Sequence, residues 1–155
     1  MSNTVIADNG VNGVSIGPES GAPLTRAVLD HVQLVNNGGR GVAAFGAGST
    51  FIALLVNNSV SAFNAGDGVL AQGTSGLADV TVKNSSIFEN GGNGLFVDGS
   101  FATMRVTKST INLNGIEVTN DNFLAANGGT LISFGDNSLD HTGQDGVATV
   151  TVPLK

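Results

Sequence analysis

Few residues in this chain have the chemistry to act on a substrate. Asp79, Lys83 and Arg105 supply a carboxylate and two cations on neighbouring strand patterns. On one face, a carboxylate could hold a cation while Lys or Arg withdrew a proton. That is the chemistry of a polysaccharide lyase. Arg26, Thr81 and Thr103 fall on the same face and Lys108 lies just beyond it. A solvated strand face with an incidental ion pair accounts for the same residues. His31 and His141 are the two histidines, too far apart to share a metal, and each reads as a turn residue. The segment GGNGLFVDG approximates a calcium-binding nonapeptide but has Phe96 where an Asp is needed, and AFGAGST lacks the Lys of a phosphate loop. In DNSLD, Asp136 and Asp140 could hold a cation, although a polar turn is the simpler reading. The expectation is therefore no metal and no cofactor.

These residues are carried by a repeat. A Gly-apolar corner recurs with its apolar residue at Val14, Val42, Val69, Leu95, Ile116 and Val147, in steps of 28, 27, 26, 21 and 31 residues. Between corners, apolar residues alternate with polar ones, the period of a half-buried strand. Ala78, Val80 and Val82 show it, then Ile87, then Leu95 and Val97. In the following unit the equivalents are Ala102, Met104 and Val106, then Ile111, then Ile116 and Val118. The NG and DG dipeptides fall at one phase of every unit, so they mark the same corner of a coil rather than hairpins. The expected fold is all-β: a single domain over residues 1–155, forming a right-handed parallel β-helix (solenoid) of five to six coils with three strands per coil.

Asn9, Asn37, Asn64, Asn90 and Asn114 share one phase, with Thr142 in the last unit. Asn tolerates the left-handed conformation of a tight bend. Stacked roughly 4.8 Å apart, identical amides can also bond along the solenoid as a ladder. Gly13, Gly41, Gly68, Gly94, Gly115 and Gly146 fit a corner that demands positive φ or close backbone approach.

The repeat V-x-[NDK]-S-x-I-x-x-N-x-G-x-G-[VL], seen at Val82 to Leu95 and at Val56 to Val69, resembles the parallel β-helix repeats of the pectate-lyase-like superfamily. It is most similar to bacterial right-handed β-helix proteins of unassigned activity, and ISFGDNSLDHTGQDGV resembles their terminal coil. The resemblance implies a longer solenoid, of which this chain forms the C-terminal part, opening near the end of a coil. An open end rung is expected to be covered by association. The NTD, DD, GHG and RIK signatures of the related polygalacturonases are absent.

On the strand after the Gly corner, the outward positions are Ser15, Ala43, Leu70, Phe96, Glu117 and Ala148, followed by Phe45, Gln72, Asp98 and Thr119. Ala43, Phe45, Leu70 and Phe96 are expected to form an exposed apolar patch and an oligomer interface. Net charge is −6, and six scattered Lys and Arg with neither Tyr nor Trp argue against nucleic acid. Cysteine is absent, no apolar run would span a membrane, and the start MSNTVIADNG has no signal-peptide pattern. An extracellular or cell-surface location is compatible with this composition. Two functions are expected: a non-catalytic solenoid, acting as an oligomerising structural or carbohydrate-binding module, or a lyase or glycoside hydrolase on an acidic polysaccharide. The partners to expect are further copies of the chain and carbohydrate.

Overall fold

Alternating apolar residues at 78, 80 and 82 require a strand with one buried face, and the repeat requires that face to meet two others. A computed structural model describes residues 1–18, 22–115, 121–140 and 145–153 and shows this arrangement, an all-β parallel β-helix of about five turns. Strands are numbered in chain order. Face one stacks the first half of β3 (Leu24–Val35), then β5 (Phe51–Asn57), β8 (Leu77–Lys83), β11 (Ala102–Thr107), β14 (Thr130–Ser133) and β16 (Val150–Thr151). Face two stacks β1 (Ser2–Ala7), the second half of β3, β6 (Val60–Ala62), β9 (Ser86–Phe88), β12 (Thr110–Asn112) and β15 (Ser138–Asp140). Face three stacks β2 (Val14–Ile16), β4 (Val42–Gly46), β7 (Val69–Gly73), β10 (Leu95–Asp98) and β13 (Phe123–Ala126).

The register superposes like on like. Ala27, Leu54, Val80, Met104 and Leu131 form one inward column of face one. Val14, Val42, Val69, Leu95 and Phe123 form one of face three. Most of these side chains are fully buried, each contributing about 1.5–3 kcal/mol of hydrophobic stabilisation.

Polar ladders close the corners. Nδ2 of Asn9, Asn37, Asn64 and Asn90 each donates to Oδ1 of the next Asn, at 2.8, 2.8, 2.9 and 2.9 Å. The backbone N–H of each donor residue reaches the same Oδ1. The predicted ladder is therefore present, with one correction. The ladder asparagines are not the left-handed residues of this corner; the residue before each one is. Asp8, Asn36, Phe63, Glu89 and Leu113 have φ between 49° and 58°. A second ladder, unforeseen, runs through serines at the corner between faces one and two. Ser59 and Ser85 donate their N–H to Oγ of Ser85 and Ser109, both at 3.2 Å, and Ser109 donates to Oδ1 of Asn137 at 2.9 Å.

The fifth turn departs from the expected spacing. Leu95 pairs with Phe123, not with Ile116, so the step is 28 residues and not 21. Ile116 and Val118 lie outside the described residues, as does Thr142. Asn122 stands in the place of the corner glycine, and its side chain extends the amide ladder. Asn114 Nδ2 donates to Asn122 Oδ1 at 2.9 Å, and Asn122 Nδ2 to Asp145 Oδ1 at 3.1 Å. In the last turn it is Gly146 that bridges to Phe123. The expected phase there is off by one: Val147 is 83% exposed, and Ala148 packs on the core rather than pointing outward.

The corner glycines serve two purposes. Gly115 and Gly146 have positive φ. At Gly94 the need is space, because a Cβ would sit 2.6 Å from Ile111 Cγ2 and 2.7 Å from the Asn122 carbonyl.

Candidate binding surfaces

The sequence-predicted trio is brought together only in part. In β8 and β11, Asp79, Thr81, Thr103 and Arg105 alternate with buried residues and so point outward. Arg105 Nη1 bonds Asp79 Oδ1 diagonally across the two strands. Both side chains are more than a third exposed, and such pairs are worth about 0–1 kcal/mol. Lys83 is exposed, four residues along β8 from Asp79, beside Asn57 and Thr107. At roughly 3.3 Å per residue, it is well removed from the ion pair. Arg26 is in register with Ala53 and Asp79. Arg26, Ala53, Leu55, Asp79, Thr81 and Arg105 line an open depression of about 490 Å³, from which Lys83 is absent.

The expected apolar patch on face three is not open. Ala43 and Leu70 are 0% and 1% exposed, although they alternate with core residues and stand outside the core cluster. Phe45 and Phe96 are half-buried. An exposed interface made of these four is thus corrected. Gln72 and Asp98, further along, do face outward and bond at 2.7 Å, with Asn127 donating to the other Asp98 oxygen. Glu117 and Thr119 lie outside the described residues. Exposed apolar side chains gather instead on and beside face one: Val28 at 50%, Leu77 at 51% and Phe101 at 45%.

The corner between faces two and three carries a groove that the motif reading passed over. It measures about 610 Å³ and is lined by Asn36, Phe63, Glu89 and Leu113 together with backbone at Gly38 and Gly91. These four side chains occupy one position in successive turns, and all are left-handed and exposed. Asn or Asp suits that conformation. Phe or Leu costs about 1–2 kcal/mol there. The Phe63 ring is held edge-on against Phe88, with centroids 5.4 Å apart at 84°, and remains 52% exposed. No Lys or Arg lines the groove among the described residues. The sequence signal was present, an apolar residue directly before each of two ladder asparagines, but only the bend geometry shows that it faces outward.

The histidine reading agrees with the backbone: His31 stacks with Asn58 and Asn84 as a left-handed corner residue. His141 lies outside the described residues. His31 Nδ1 lies 3.0 Å from Asp30 Oδ2, and Asn57 and Asn58 donate to Oδ1. These bonds, that of His31 foremost, hold the Asp30 carboxyl below its ordinary value. Asp136 is lowered in the same way, first by the Thr107 hydroxyl and then by the Lys108 N–H. Its oxygens bind the adjoining turn. Among the described residues, no three His, Cys, Asp or Glu cluster as a metal site would require. Comparison of the chain with protein-family models, curated proteins and solved structures returned no match.

Proposed function

We propose that this chain is a non-catalytic β-solenoid that binds a neutral carbohydrate chain along the corner between faces two and three. The observation that carries this reading is the exposed column Asn36, Phe63, Glu89 and Leu113, one residue per turn. Phe63 offers an aromatic platform for the C–H face of a sugar ring. Glu89 offers a carboxylate, and Asn36 an amide, for ring hydroxyls. The turns repeat every ~4.8 Å, close to the advance of one pyranose in an extended oligosaccharide. An extended peptide advances roughly 3.3 Å per residue and would drift out of phase with them. An acidic glycan is disfavoured, because Glu89 lies in the groove and no cation lines it among the described residues. The resemblance of the repeat to the pectate-lyase-like superfamily lends general support to a carbohydrate ligand. The alternative, a lyase or hydrolase built on Asp79, Lys83 and Arg105, is weakened by the engagement of Asp79 with Arg105 and by the distance of Lys83.

Titration calorimetry with neutral cello-, xylo- and manno-oligosaccharides, and with oligogalacturonate as the acidic control, tests the proposal. A neutral oligosaccharide is expected to bind, and Phe63→Asn to abolish binding in a chain that still folds. Equal binding by Phe63→Asn, preference for the acidic chain, or no binding at all overturns it.

A further inference from the structure

From face one we infer that two copies of this chain associate through its outer surface, about a two-fold axis that runs parallel to the strands and passes over Ala53 and Leu55. The argument is one of register. On the outer side of the first three strands of this face lie three columns, Leu24, Phe51 and Leu77; Arg26, Ala53 and Asp79; and Val28, Leu55 and Thr81; a fourth at the corner, Asp30, Asn57 and Lys83, would set Asp30 against Lys83 of the second copy. An axis along β5 exchanges β3 with β8 and lays β5 over its own copy. Leu24 then meets Leu77 of the second copy, Arg26 meets Asp79, Val28 meets Thr81, and Phe51 and Leu55 each meet themselves.

Every facing pair in that arrangement is compatible. Two columns join apolar to apolar, or apolar to threonine. The third brings together Arg26, which has no acidic partner within its own chain among the described residues, and a carboxylate that accepts from Arg105 through Oδ1 only. The contact is isologous, so each charge match occurs twice. An axis along the solenoid would instead set Arg26 against Arg26. The depression over Ala53 lies at the axis, with Leu55 among its lining residues; Ala53 meets its own copy there, and the small side chains let the two faces approach closely. Half-exposed Val28 and Leu77 would be covered. In a three-sided solenoid the corner groove lies opposite face one. The inference is therefore independent of the carbohydrate reading.

Sedimentation equilibrium is expected to show a dimer. Arg26→Glu is expected to weaken association by roughly a hundredfold, because two attractions become two repulsions, with the circular dichroism spectrum unchanged. The triple reversal R26D/D79R/R105D keeps every pairing with the signs exchanged and is expected to restore the dimer. The chain has no cysteine, so a single spin label placed through A53C would report a short distance across the axis, while one placed through T130C would report a long one. A monomer at all concentrations, indifference to Arg26→Glu, failure of the triple reversal, or A53C labels far apart in a dimer would each overturn this geometry. Oligosaccharide binding by Arg26→Glu is expected to equal that of the unaltered chain, which separates failure of the dimer from failure of the groove.

Discussion

At the corner between faces two and three, residues adjacent in the chain obey opposite rules. Asn37, Asn64, Asn90 and Asn114 are identical from turn to turn and buried. Asn36, Phe63, Glu89 and Leu113, one residue earlier, differ in every turn and are exposed. The first column is uniform because each amide has another amide as its partner. Changing one strands groups on both sides, so the fold requires the repetition. The second column is required only to turn the chain. Three of its members, Phe63, Glu89 and Leu113, do so against their backbone preference. Where a corner accepts a strained, exposed apolar side chain, the fold does not explain the residue, and a ligand would.

The largest effect is expected from Asn64→Ala. Asn64 accepts from the N–H and Nδ2 of Asn37 and donates to Asn90 Oδ1 and the Leu34 carbonyl. Its loss leaves several buried groups unpaired at about 1–3 kcal/mol each. With partial relaxation the cost should be about 3–5 kcal/mol, a large part of an ordinary domain's stability. Urea denaturation should show it as a marked fall in midpoint. Glu89→Ala, one residue before the next ladder position, should change stability by no more than about 0.5 kcal/mol. Equal effects at the two sites would erase the distinction between the columns.

Next is Gly94→Ala, where the new Cβ meets Ile111 and a carbonyl of the next turn. Overpacking of this kind costs about 1–3 kcal/mol and should lower the melting temperature without altering the exposed column. Smaller, and opposite in sign, is Leu113→Asn. It relieves a left-handed leucine that is 45% exposed, and should stabilise by about 0.5–1 kcal/mol. Phe63→Asn gains similarly but loses an aromatic contact worth about 0.5–1.5 kcal/mol, so its melting temperature should hardly move. That near-cancellation is what makes it a clean probe of binding.

How much of this was legible beforehand followed from how local each cause is. The three-faced coil and the amide ladder were readable because alternation and identical residues at one phase are patterns within the chain. The serine ladder was not, because Ser59 and Ser85 follow asparagines, Ser109 follows Lys108, and all three pass for ordinary turn residues. The fifth turn was misplaced because Asn122 replaces the glycine that marks the corner elsewhere, while its amide continues the ladder from Asn114 to Asp145. The burial of Ala43 and Leu70 was not legible, since alternation places a residue on the outer side of a strand without fixing how exposed it is there. Asp79 and Arg105 were placed correctly on one face, but their diagonal contact, and the exclusion of Lys83 from it, depend on register between strands.

The corner between faces one and two sharpens the comparison through acid. Its left-handed residues are exposed, like those of the groove, yet Asp30 beside His31 is bound to its corner by three side chains. Those bonds stabilise the ionised carboxylate and place its folded pKa below the ordinary 3.8. The unfolded chain therefore binds the proton more readily. The stabilisation is complete above the ordinary value and is lost as pH falls through the lower, folded one. Asp136 acts in the same window and with the same sign. Melting temperatures measured from about pH 6 down to about pH 2 should fall at the acid end. Asp30→Asn should be the less stable chain at neutral pH, and its difference from the unaltered protein should shrink as acid protonates Asp30. If Asp30→Asn ran parallel to the unaltered protein throughout, the carboxylate bonds at Asp30 would not hold this corner, and only the buried ladders would.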